Sequence, residues 1–131
     1  MEKAVLDTYA WIEYFRGTEE GEKVREYVDG DSRILTPSVV VAELRDKYVR
    51  TGLEERWRTR KHFLKMKSDI LELEFDVADE AGGLKWDLRE KFDDVGLADA
   101  IILSHTIQED ATLLTGDDHL TFRKEVMDIS S

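Results

Sequence analysis

Along the chain, short aliphatic runs bounded by turn residues alternate with longer stretches in which apolar side chains recur every three or four positions. The first kind reads as buried strands and the second as amphipathic helices. Strands are predicted over Lys3–Asp7, Arg33–Thr36, Ile70–Leu73, Thr112–Thr115 and Val126–Ile129. A helix is predicted over Thr8–Arg16, where Trp11, Ile12, Tyr14 and Phe15 crowd one side, and another over Glu19–Val28, with Val24, Tyr27 and Val28 at helical spacing. Pro37 stops the second strand, and Ser38 is the expected N-cap of a helix from Val39 to about Arg50. Further helices follow over residues 54–68, with Trp57, Phe63, Leu64 and Met66 as apolar side chains, and over Asp76–Phe92 and Leu97–Gln108. Gly82-Gly83 should cost its helix roughly 1 kcal/mol each relative to Ala unless close packing requires them. Trp11, Trp57 and Trp86 are all expected to be packing residues. Strands separated by helices predict one α/β domain over 1–131, a parallel sheet covered on both faces with right-handed crossovers.

Four carboxylates break this pattern. Asp7 closes Ala4-Val5-Leu6, Glu43 sits in Val39-Val40-Val41-Ala42-Glu43-Leu44, Asp99 lies in Leu97-Ala98-Asp99-Ala100-Ile101-Ile102-Leu103, and Asp117 follows Leu113-Leu114-Thr115-Gly116. A carboxylate beside that much apolar surface is partly desolvated, which is costly unless it is paired. Carboxylates brought together also raise one another's pKa unless a cation holds them ionised. Asp7 and Asp117 fall just past the C-terminal ends of predicted strands, where ligands bind in open α/β sheets. Glu43 and Asp99 fall in the first turns of helices. The four acids can therefore converge at one edge, around a divalent ion.

Each acid also has a plainer reading. Asp7 before Thr8 suits a helix N-cap, and Glu43 has Lys47 at i+4 as a surface partner. Asp99 complements a helix dipole, and Asp117 in Thr-Gly-Asp-Asp-His suits an Asx turn. Their joint placement argues for the site. Thr8, Ser38 and Thr115 each neighbour an acid or its loop and are candidates to orient carboxylates or to cap helices. Asp118 and His119 follow Asp117 closely enough to border the site. His62 and His105 share no metal-ligand spacing with it.

Composition narrows the class. With 41% hydrophobic and 37% charged residues the chain is globular and folded. No run approaches the roughly 20 apolar residues of a membrane span, and no signal-peptide core is visible, so a cytoplasmic protein is expected. The lack of cysteine excludes disulfides, thiolate catalysis and Cys-based zinc sites. Asn is absent and Gln occurs once, at Gln108, a bias that leans towards thermophiles. The net charge of −11 seems at first to exclude nucleic acid, but it is unevenly spread. Residues 45–67 carry +6 and the remainder −17. A basic arm on an acidic body can hold a polyanion locally; the plainer alternative is a solvated helix face.

The segments Val5-Leu6-Asp7-Thr8, Thr36-Pro37-Ser38 through Ala42-Glu43-Leu44, Leu97-Ala98-Asp99-Ala100-Ile101-Ile102-Leu103 and Leu113-Leu114-Thr115-Gly116-Asp117 together resemble PIN-domain proteins. The resemblance is closest to the short stand-alone toxins of VapBC toxin–antitoxin pairs, and spans nearly the whole chain. It implies a flavodoxin-like three-layer α/β/α sandwich of about five strands in the order 3-2-1-4-5. It also implies an Mg²⁺- or Mn²⁺-dependent endoribonuclease using one or two ions, a homodimer, and a basic VapB-type antitoxin peptide that occludes the acidic pocket. Carried over by position, the metal-site acids are Asp7, Glu43, Asp99 and Asp117. Arg45, Lys47, Arg50, Arg58 and Lys61 of the basic stretch become candidates to grip RNA. His119 stands where many relatives carry an acid or Asn, and Asp118 is an additional carboxylate beside it.

Other readings fit less well. A haloacid-dehalogenase-type phosphatase needs a second Asp two residues after its nucleophile, where this chain has Tyr9. A phosphoreceiver needs an acidic pair and a Lys that are not found, and there is no glycine-rich phosphate loop. The alternative from another class is a PIN-fold RNA- or protein-binding scaffold with little turnover.

Overall fold

The computed structural model describes residues 2–130. Five strands form one sheet: β1 (Lys3–Leu6), β2 (Arg33–Pro37), β3 (Asp69–Leu71), β4 (Thr112–Thr115) and β5 (Val126–Asp128). Their order is β3-β2-β1-β4-β5 and every pairing is parallel. The connections carry helices α1 (Thr8–Arg16), α2 (Glu19–Val28), α3 (Ser38–Arg50), α4 (Glu54–Lys67), α5 (Phe75–Arg89) and α6 (Leu97–Gln108) onto the two faces. This is the three-layer α/β sandwich, with the strand order the resemblance implied.

Central strands β1 and β4 are covered on both sides. Ala4, Val5, Leu6, Leu113 and Leu114 are all fully buried, which is why those segments read as continuous aliphatic runs without alternation. Trp11 anchors α1 to the neighbouring strand. Its indole N–H donates to Thr36 Oγ1 at 3.1 Å, Thr36 donates to Ser68 Oγ at 2.9 Å, and Ser68 donates to the Leu64 carbonyl at 2.7 Å. That buried chain satisfies each polar group it contains and ties α1, β2 and the end of α4 together. Around it Trp11, Tyr14, Phe15 and Phe63 stack edge-on and face-on.

Several boundaries differ from expectation. Ser38 is the first helical residue of α3, and Pro37 holds the cap position with no side-chain cap. β3 covers Asp69–Leu71 rather than Ile70–Leu73, because its partner β2 ends at Pro37, opposite Leu71, leaving the next residues nothing to pair with. Leu73 is consequently exposed. α5 begins at Phe75 and ends at Arg89, although the Phe92 N–H still donates to the Leu88 carbonyl at 2.9 Å. β5 stops at Asp128, and Ile129 is buried just past it, its N–H donating to the Thr115 carbonyl at 3.0 Å. Trp57 is buried as expected, but Trp86 is 66% exposed and Met66 70% exposed. Both lie on solvent-facing sides of helices whose opposite sides are filled by Leu84 and Leu88 or by Trp57 and Leu64. Methyl groups added at Gly82 or Gly83 would meet nothing within 4 Å, so packing does not require that pair.

Candidate metal centre

Asp7 leaves the C-terminal end of β1 and caps α1. Its Oδ1 accepts the Ala10 N–H at 2.8 Å, so the expected capping geometry is present. The same carboxyl is 5% exposed and takes a hydrogen bond from the Thr115 hydroxyl. Thr115 Oγ1 in turn accepts the Asp117 N–H at 3.0 Å. One threonine at the end of β4 thus fixes two of the acids.

Glu43 lies in α3 and accepts the Thr8 hydroxyl at 2.6 Å, joining α1 to α3 across 35 residues. Lys47 forms no ion pair with it among the described residues. Asp99 is the third residue of α6, after the Gly96 cap, and its carboxylate reaches back to accept the Gly96 N–H. That is a capping-box arrangement made by an aspartate. Asp117 Oδ1 accepts the His119 N–H at 2.9 Å in an Asx turn.

Asp7, Glu43, Asp99 and Asp117 line one open pocket of about 320 Å³, together with Thr8, Tyr9, Ile102 and Gly116. The four acids, drawn from β1, α3, α6 and the loop after β4, meet at one edge of the sheet. Asp118 is exposed and Ser38 half-buried; neither lines the pocket. Asp117 rather than Asp118 is therefore the carboxylate that faces the other three. Tyr9, Ile102 and Gly116 were not anticipated. Gly116 needs to be glycine because a Cβ there would come within 2.4 Å of the Tyr9 ring, a contact that only the fold creates. A roomier pocket, about 500 Å³ and lined by residues including Glu72, Asp76 and His105, contains none of the four acids.

The electrostatics show what the cluster lacks. Burial, more than any other cause, pushes the Asp7 carboxyl up from the ordinary 3.8 to about 7. Hydrogen bonds from Thr115 and Ala10 oppose this, and Asp117 and Asp99 add to it. Asp99 is raised to about 6, first by burial and then by Asp117 and Glu43. No lysine or arginine lines the pocket among the described residues. Carboxylates pushed up by burial and mutual repulsion, with only the His119 imidazole nearby to oppose it, suit a hard divalent ion that prefers oxygen ligands.

The basic residues divide. Arg45 is ion-paired with Glu54 at 2.5 Å, and Arg50 lies 3.6 Å from Asp46. Arg58 and Lys61 are exposed on α4, whose Trp57 and Leu64 face inward. Lys47 instead joins Arg16, Arg56 and Arg60 around a groove of about 320 Å³ floored by Ile12, Phe15, Tyr48 and Leu53. Arg60 lies over the Phe15 ring at 4.9 Å. Lys47 and Ile12 are one helical turn past Glu43 and Thr8 on the same two helices, α3 and α1, which also line the acidic pocket. Arg56 and Arg60 belong, with Lys47, to the basic stretch 45–67 read from the sequence; Arg16 does not, since α1 brings it in from far away in the chain.

Residues 4–124 match the PIN domain. The chain belongs to the PIN-domain family. Its fold is similar to that of a chain in the VapBC2 complex of Rickettsia felis bound to a promoter DNA fragment, with TM-score 0.78 and 20% identity over 96% of this chain and 98% of that one. DNA-bound VapBC from Salmonella typhimurium gives 0.76 and 20%, covering 99% and 100%. Mycobacterium tuberculosis VapC20, described as a toxin that cleaves the sarcin–ricin loop, gives 0.68 and 13%, covering 87% and 91%. No curated protein matches the chain in sequence. No helix among the described residues is long and apolar enough to cross a membrane.

Proposed function

We propose that the protein is a divalent-metal-dependent endoribonuclease, the toxin of a VapBC-type pair. The observation that carries this is the convergence of Asp7, Glu43, Asp99 and Asp117 on one pocket that contains no basic side chain. Asp7 and Asp99, the most desolvated of the four, bind Mg²⁺ or Mn²⁺ directly, while Glu43 and Asp117 hold its waters or a second ion. Such an ion supplies an acidified water and charge stabilisation for the departing 3′-oxygen. Thr115 keeps Asp7 and Asp117 in register, and Thr8 fixes the rotamer of Glu43. Ile102 and the Tyr9 ring wall the pocket. Lys47, Arg16, Arg56 and Arg60 grip the sugar–phosphate backbone in the adjoining groove, a salt-sensitive contact that carries little sequence information. Resemblance to VapBC proteins further supports a homodimer, a cytoplasmic site of action and a VapB-type antitoxin whose basic segment neutralises the pocket.

The test is cleavage of single-stranded RNA with Mg²⁺ or Mn²⁺. Cutting is expected, and is expected to vanish with EDTA and in Asp99→Asn. RNA bound tightly but left intact by the metal-loaded wild type would replace this reading with the scaffold one.

A further inference from the structure

We propose that His119 is itself a ligand of the divalent ion, through Nδ1, and that Asp94 is the positioning residue that holds its ring. This rests on the metal-dependent reading above and extends it from oxygen donors to a nitrogen. One donor atom from each of Asp99, Asp117 and His119 can be chosen so that all three lie within 4.8 Å of one another. A cation bonded at about 2.0–2.6 Å spans such a set; it is the second ion of the reading above, the one that Asp117 holds. Nδ1 of His119 is shut off from solvent and has no hydrogen-bond partner, although it stands 3.2 Å from Asp117 Oδ1.

The other ring nitrogen explains that isolation. Nε2 lies 2.9 Å from Asp94 Oδ1, close enough to place the ring proton on that side and leave the Nδ1 lone pair facing inward. Phe92 packs against the imidazole with centroids 5.2 Å apart, fixing its plane. Asp117 Oδ1 also receives the His119 N–H, so the loop bearing both groups is already folded. With the ring proton on Nε2, the inward lone pair meets a carboxylate oxygen, and either a second proton or a metal cation must lie between them. Carboxylate, imidazole and metal in that order form a recurrent outer-shell design that orients the ring and raises its basicity.

The chemical consequence is selectivity. Carboxylate and water ligands suit Mg²⁺ and Mn²⁺ alike, whereas an imidazole nitrogen favours the transition metal. The site is therefore selective for Mn²⁺ over Mg²⁺, to a degree that an all-oxygen set would not be.

Pulsed EPR of the full chain loaded with Mn²⁺ tests this directly, alongside calorimetric affinities for Mn²⁺ and Mg²⁺. A directly bound ¹⁴N coupling is expected in the wild type and should be lost in His119→Gln, which keeps a polar side chain of similar size. The preference for Mn²⁺ over Mg²⁺ should fall in the same variant. Asp94→Asn, on an exposed loop, should weaken Mn²⁺ binding by about 10–100-fold, the usual cost of losing such a partner. Mn²⁺ bound without nitrogen coupling, its binding still abolished by Asp99→Asn, would overturn the His119 assignment and leave the carboxylate centre standing. Failure of the wild type to bind either ion would overturn both.

Discussion

Replacing Asp7 by Asn should make the metal-free protein more stable while removing its activity. The side chain is almost fully buried, and burial raises its pKa from 3.8 to about 7. At 1.36 kcal/mol per tenfold, ionising it in the folded state costs about 4 kcal/mol. Asn keeps an oxygen for the Ala10 N–H, now at 2.8 Å, and carries no charge. The sign follows from proton linkage. Between about pH 4 and pH 7 the folded state holds a proton that the unfolded state has released, so the wild type loses stability as pH rises through about 7. Below about pH 4 the carboxyl is neutral in both states and the variant gains nothing. In EDTA at pH 8, Asp7→Asn should therefore gain about 2–4 kcal/mol. At about 3–5 °C per kcal/mol for a domain of this size, that is roughly 6–20 °C in thermal melts. Saturating Mn²⁺ should then stabilise the wild type, by about 2.7 kcal/mol at one hundred times its Kd, and leave the variant almost unmoved. A variant that melts at or below the wild-type temperature at pH 8, with a difference independent of pH, would refute the claim that this carboxylate is desolvated.

Gly82→Ala should stabilise the protein by about 0.5–1 kcal/mol in urea unfolding, because a methyl group there meets open space within a helix. Gly116→Ala should destabilise it by about 1–3 kcal/mol, since the new Cβ would lie 2.4 Å from the Tyr9 ring and force it to move. Lys47→Glu and Arg56→Glu should each raise KM for RNA with little change in kcat and flatten the dependence of binding on salt, which titrations at several ionic strengths would show.

Most of the architecture was legible because aliphatic runs and helical spacing are local signals. β1 and β4 stood out for being buried on both faces, while the strand order came from family resemblance, since periodicity does not encode sheet order. The edge strand β3 was misplaced because its length is set by Pro37 on another strand. Trp86 and Met66 misled because an apolar side chain does not announce which face of its helix meets solvent. For the site, Asp7, Glu43, Asp99 and Asp117 could be named singly, each being a charge set in an apolar run. What the sequence did not supply was pairing. Nothing near Asp94 marks it, because its partner His119 arrives after an entire helix and strand, and Arg16 joins Lys47 only once α1 packs beside α3.

The register between β1 and β4 also has a temporal consequence. Asp7 is made well before Leu114, whose carbonyl its N–H pairs with. The threonine that steadies both Asp7 and Asp117 comes from that same late segment. A chain built this way cannot gather its four carboxylates until β4 has been made and has paired with β1, so a fragment that stops short of β4 carries only part of the acidic pocket.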